Sequence, residues 1–164
     1  MSLSCNLTRI TISEKDFAEK IKEISNKYDF DRSKLIIEIT EDSLEKNLVI
    51  AMLNIIEIKK LGFRISLDDF GSGYTSLVSL CEYPIDVVKI DREILLLSGT
   101  EKGKKIFLGI VSLAHFLNLK VVCEGVETEE QRNLLLKVDV IIFKVGIIQR
   151  HFLKKMQKNL QLII

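Results

Sequence analysis

Short apolar runs alternate along this chain with longer stretches whose apolar residues recur every three or four positions. The runs SLSCNL, LIIEIT (Leu35 to Thr40), FRISLD, DVVKI (Asp86 to Ile90), KVVCE (Lys120 to Glu124) and VIIFKV (Val140 to Val145) read as strands. Between the first two, Ser13 to Tyr28 predicts one helix, with Ser13 as its cap, Asp16 at the capping-box position, and Phe17, Ile21 and Ile24 on one face. Further helices are predicted from about Leu48 to Lys60, from Ser76 to Glu82, from roughly Lys104 to Leu117, and from Thr128 to Lys137. Gly62 ends the second helix, and Pro84 stops the third. Such alternation implies βα units and a parallel sheet. The strands are nearly continuous apolar runs, as required when both sheet faces are covered. An open doubly wound sheet and a closed (β/α)₈ barrel both fit this pattern.

The polar positions separate the two. Asn6, Glu38, Asp68, Lys89 and Glu124 each stand at or beside the C-terminal end of a strand. In a barrel those ends open onto one mouth, whereas in an open sheet they spread along an edge. Convergence of five such groups favours the barrel. Carboxylates with an amide oxygen and one lysine suit hard divalent cations and a phosphate ester.

The stretch RISLDDFGSGYTSL poses the sharpest question, because Asp68 and Asp69 end an apolar strand with two adjacent like charges. Either the pair is solvated in a turn with an Asx-type hydrogen bond, or a cation compensates it. Plainer readings exist elsewhere too: Lys89 could pair with Asp86 or Asp91, and Glu124 and Glu127 precede a helix, where acids suit the dipole.

Composition narrows the class. The 164 residues are 47% hydrophobic, with 24 basic and 23 acidic side chains, enough for one compact domain. A formal charge of +1 gives no electrostatic case for a nucleic-acid polymer or an anionic membrane as partner. No uncharged run approaches the ~20 residues of a membrane span, and no secretory leader is visible. Cys5, Cys81 and Cys123 have no metal-ligand spacing and read as reduced thiols of a cytoplasmic protein, serving as small apolar side chains.

Four motifs resemble those of the EAL-type phosphodiesterases of cyclic di-GMP: CNLT with IEITED, LDDFGSGYTSL, DVVKIDREI and VVCEGVETEEQ, in family order from Asn6 to Gln131. The resemblance implies a (β/α) barrel and a site for two Mg²⁺ or Mn²⁺ ions. On this likeness Asn6, Glu38, Asp68 and Asp69 are metal ligands, and Lys89 orients the attacking water and balances charge. Glu124 is the active-site glutamate near the second metal, and Glu41 and Glu127 support loops. Gly71 and Gly73 let the loop after Asp69 adopt positive φ, and metal is expected to order that loop. The implied chemistry is in-line attack of metal-activated water on a phosphodiester of cyclic di-GMP, giving linear pGpG.

Two departures temper that expectation. The family's Glu-Ala-Leu strand, which supplies a further metal-binding glutamate, belongs upstream of Asn6, where this sequence has no room for it. The expected fold is therefore a partial TIM-like barrel lacking about two N-terminal strands of eight, in one incomplete EAL domain over residues 1–164. Its open edges invite a homodimer. The likeness runs over residues 4–138, and residues 139–164 diverge. The family usually has Gly-Cys-Asp and then Gln-Gly here, whereas this chain reads VDVIIFKVGIIQR, with Lys144 in the glutamine slot and Gln149 reached only by an insertion. Starting from the third base of the Val138 codon, permissible codons spell Gly-Cys-Asp-Tyr-Phe-Gln-Gly, so a one-base frame change near Val138 is expected. The overall expectation is an EAL phosphodiesterase domain that is impaired or inactive in this chain. The rival is a non-catalytic signalling module that binds cyclic di-GMP or a protein partner.

Overall fold

The computed structural model describes residues 3–40, 48–71 and 77–142. Among the described residues six strands form one sheet: β1 (Leu3–Leu7), β2 (Leu35–Thr40), β3 (Arg64–Phe70), β4 (Val87–Ile90), β5 (Lys120–Cys123) and β6 (Ile141–Ile142). Every neighbouring pair is parallel, and the spatial order is the chain order. A doubly wound sheet reverses direction at its switch point. This one does not, so the architecture is that of a partial TIM-like (β/α) barrel.

Each strand shows one face to helices and the other to the barrel interior. Ile37, Ile39, Ile65, Leu67, Val88, Ile90, Val121 and Cys123 point outward, and none is more than 4% exposed. They belong to one core with Ala51, Ile55 and Ile58 of α3 (Leu48–Lys60), Phe107, Val111 and Ala114 of α6 (Glu101–Phe116), and Leu135 of α7 (Glu129–Lys137). Burial of each large aliphatic side chain contributes about 1.5–3 kcal/mol, so this outer seam holds the sheet curved. The inward positions alternate with these. They line a groove of about 280 Å³, with Ile36, Ser66, Val87 and Val122 along its wall and Glu38 and Lys89 toward one end. Among the described residues the buried Ser66 hydroxyl has no hydrogen-bond partner in that wall.

The structure corrects the predicted helix over Ser13 to Tyr28. Two helices stand there, α1 (Arg9–Ile12) and α2 (Phe17–Ser25), and Ser13 ends the first rather than starting the second. Thr8 caps α1 by accepting a bond from the Thr11 amide. The break is held from a distance: the buried Asn54 amide on α3 donates to the carbonyls of Ile12 and Glu14 at 2.7 and 2.8 Å. A short helix that the pattern did not predict, α5 (Arg92–Leu97), follows β4 and is capped by Asp91. α6 begins three residues before its predicted start, because Thr100 caps it through the Gly103 amide. A Cβ on Gly103 would overlap the Leu97 carbonyl, so only glycine lets α6 lie this close to α5. The remaining helices fall where the periodicity places them: α3, α4 (Leu77–Glu82), and α7, whose capping box joins Thr128 and Gln131. The last predicted strand is represented by Ile141–Ile142; residues 143–164, including Lys144 and Gln149, lie outside the described set. Among the described residues no helix is long and apolar enough to cross a membrane.

Candidate active site

The aspartate doublet is a β-bulge. Leu67 pairs with Val88 and Phe70 with Ile90, so three residue steps on β3 oppose two on β4. Strict alternation would aim Asp68 inward and Asp69 outward, into the helical layer. The extra residue breaks that rule: Asp69 takes a left-handed conformation with φ 55°, and Phe70 resumes the outward position at 4% exposure. Asp69 is thereby left exposed beside Asp68 instead of buried among apolar side chains. The Asp69 amide donates to the Asp68 carboxylate at 3.0 Å, which ties the bulge to its own acid. Gly71 continues the turn with φ 95°, and a Cβ there would stand 2.7 Å from Cγ1 of Ile94.

Lys89 stands at the focus of the acids. Its Nζ lies 2.9 Å from Asp68 Oδ1, 2.9 Å from Glu124 Oε1 and 3.3 Å from Glu38 Oε1. Asp68 on β3 and Glu38 on β2 lie to one side of the β4 strand that carries Lys89, and Glu124, just past β5, lies to the other. The plainer pairings for Lys89 are taken up otherwise. Asp86 accepts from Lys59 at 2.7 Å and from the Ile65 amide, and Asp91 caps α5.

The electrostatics follow from burial. Lys89 is 7% exposed, which disfavours its charge, but hydrogen bonds to Glu124 and Asp68 and the field of Glu38 outweigh that and hold its pKa above the ordinary lysine value. Burial raises the Glu38 carboxyl and Asp68 raises it further, against the opposing pull of Lys89. Asp69, though exposed, is also raised, first by partial desolvation at the mouth and then by its neighbours Asp68 and Asp91. Three carboxylates meet one ammonium, a formal excess of two negative charges before Asp69 is counted.

Asn6 completes the inward set. It pairs in register with Glu38, and parallel pairing puts both on the same sheet face. The donors offered by Asn6, Glu38, Asp68, Asp69 and Glu124 are all oxygens, which fits Mg²⁺ or Mn²⁺ and argues against soft metals. Among the described residues no three His, Cys, Asp or Glu side chains stand at metal-ligand spacing to one another. The acids converge on the Lys89 nitrogen instead.

Glu127 is outside this cluster, bonded to Arg92 at the start of α5. Arg92 and Gly125 were not picked out from the sequence. Gly125 has φ 69° and lies against the Arg92 stem, with a built Cβ 3.0 Å from its Cγ and Cδ, so the Glu124 loop is clasped by α5. Nothing local marks that contact. Glu41 and Gly73 lie outside the described residues.

The parallel sheet and the carboxylates gathered around one lysine at its strand ends define a protein of the (β/α)-barrel class with an acidic mouth. Comparison with known proteins narrows the class: the EAL domain profile matches residues 1–144, and the chain belongs to the EAL domain family. It is 35% identical over 136 residues to the signaling protein YkoW of Bacillus subtilis, covering 82% of this chain and 17% of that protein. It is 30% identical over 159 residues to the cyclic di-GMP phosphodiesterase RocR of Pseudomonas aeruginosa, covering 93% of this chain and 41% of RocR. The chain thus spans less than half the length of these relatives. Among solved structures it resembles an EAL domain protein from Listeria monocytogenes, with TM-score 0.76 and 37% identity over 86% of this chain and 56% of that one. The PaMucR phosphodiesterase in its c-di-GMP complex matches with TM-score 0.76 and 30% identity over 86% of this chain and 58% of that one.

Proposed function

We propose that this mouth is a cyclic di-GMP site whose chemistry is metal-dependent opening of the ring to linear pGpG, with hydrolysis impaired in this chain. One observation carries the reading: Glu38, Asp68 and Glu124, supplied by three strands, meet around the buried Lys89 ammonium. Asn6, Glu38, Asp68 and Asp69 would hold Mg²⁺ or Mn²⁺, whose role when bound is to polarise the phosphodiester and offset the charge that builds on its oxygens. Lys89 keeps the acids in place, and Glu124 stands where it can accept a proton from water. Water's oxygen forms the new P–O bond, the ring P–O bond breaks, and the departing sugar oxygen takes up a proton. Glu41, Gly73 and Glu127 are assigned to loop support in the same proposal, and Gly71 to the turn beside Asp69.

Impairment is argued from the acids among the described residues, which converge on the Lys89 nitrogen. Catalysis needs ligand placement within about half an ångström. The same observation favours a second reading, a cytoplasmic module that binds cyclic di-GMP without cleaving it. The PaMucR structure it resembles is a c-di-GMP complex, which supports the same ligand here. A homodimer through a sheet edge belongs to the proposal as well, and sedimentation reads it. The main test is incubation of the chain with cyclic di-GMP and Mn²⁺. Slow formation of pGpG, abolished by Asp68→Ala, is expected. Product that persists in Asp68→Ala refutes the assignment, and binding by calorimetry without any product selects the second reading.

A further inference from the structure

We propose that Lys89 is a resident cation: it gathers the acids of the mouth when no divalent ion is bound, and so sets how weakly such an ion binds. The inference rests on the reading of Glu38, Asp68 and their neighbours as oxygen ligands. Its support is geometric. An ammonium has three N–H donors and no acceptor. Among the described residues three carboxylates stand around it at 2.9, 2.9 and 3.3 Å, so Lys89 is surrounded as a metal ion is, whereas Lys59 is paired with Asp86. Its side chain is 8% exposed, and those of Glu38 and Asp68 are 8% and 16%, so solvent screens these two pairs little; Glu124, at 38%, is the screened member.

Two effects of Lys89 on a divalent ion oppose each other. The lysine preorganises the acids, which helps binding. It also places a positive charge within a few ångströms of any ion that shares their oxygens, and this repulsion acts through a poorly screened interior. Preorganisation is the smaller effect, because the Glu38 and Asp68 side chains are already packed at 8% and 16% exposure and only Glu124, at 38%, has much freedom to lose. Removal of the lysine therefore tightens ion binding while loosening the ion-free chain. In these terms Lys89 is a positioning residue whose charge competes with the metal it prepares for.

The test uses the whole chain, with Lys89→Met as the variant and Lys59→Met as a control for loss of a lysine elsewhere. Mn²⁺ binding is measured by calorimetry, and thermal unfolding is followed in EDTA and in Mn²⁺. Lys89→Met should unfold several degrees lower in EDTA, bind Mn²⁺ about tenfold more tightly, and recover its lost stability as Mn²⁺ saturates. Lys59→Met should bind Mn²⁺ as the unaltered chain does. Should Lys89→Met fail to fold, Glu124→Gln and the double variant Glu124→Gln/Lys89→Met carry the same comparison with one acid fewer, and the double variant should bind more tightly than the single. Equal or weaker binding in the methionine variants, while the unaltered chain binds Mn²⁺, overturns the inference and leaves the ligand reading standing. Absence of Mn²⁺ uptake by every folded variant overturns both.

Discussion

Replacing Gly71 with alanine should damage the turn beside the aspartate bulge by an amount that can be worked out in advance. At φ 95° an L side chain is disfavoured, by about 1–2 kcal/mol. The new methyl would lie 2.7 Å from Ile94 Cγ1 and 3.0 Å from its Cδ1, so α5 or its side chain must give way. Overpacking of this kind costs about 1–3 kcal/mol. Restriction of the unfolded chain offsets roughly 0.4–1 kcal/mol. The net loss is about 1–5 kcal/mol, and at roughly 2–4 °C per kcal/mol for a chain of this size, the unfolding midpoint should fall by about 2–20 °C. Thermal unfolding in EDTA measures it. Ile94→Ala in the same background opens the space but leaves the backbone strain, so the two changes should couple by about 1–2 kcal/mol in a double-mutant cycle. The damage should reach the site, because the Asp91 amide bonds to the Phe70 carbonyl at 3.1 Å and links α5 to the bulged strand. A Gly71→Ala chain within about 1 kcal/mol of its parent would refute the argument; so would independence from Ile94→Ala.

Three further outcomes are expected. Asn54→Ala leaves the carbonyls of Ile12 and Glu14 without their buried donor and should cost about 2–5 kcal/mol in urea unfolding; a loss below about 1 kcal/mol would show that water replaces the amide. Burial, aided by Glu124, pushes the Cys123 thiol up to about 12, so at pH 8 it stays protonated, and a thiol reagent should label the exposed Cys81 while sparing Cys123 in the folded chain. Equal labelling of both would contradict the buried placement. The gene, read from the third base of the Val138 codon, should encode Gly-Cys-Asp-Tyr-Phe-Gln-Gly; any other reading there removes the proposed frame change.

Much of the architecture was open to a reader of the residues alone. Continuous apolar runs such as LIIEIT and KVVCE mark strands covered on both faces, and the polar residue at the end of each run marks the mouth. α3 lies where its period puts it, over Leu48–Lys60. These features are legible because they depend on neighbours within a turn or a strand. The helix predicted over Ser13 to Tyr28 went wrong for the opposite reason: its break is held by Asn54, whose distance along the chain leaves no local trace.

At the site the division is similar. The residue types named Asn6, Glu38, Asp68, Asp69, Lys89 and Glu124, and the family likeness gave them roles. Only the folded chain decided that Lys89 takes Glu38, Asp68 and Glu124 rather than its near neighbours Asp86 and Asp91. Only the pairing of β3 with β4 showed that Asp69 is the extra residue of a bulge, which is how two adjacent acids come to stand together at the mouth. Periodicity belongs to a single segment and can be read along it; a bulge or an ion cluster belongs to strands that meet across the sheet. The alternating pattern therefore determined the strands and most helices in their order, while side-chain partnership was decided by which strands pair across the sheet.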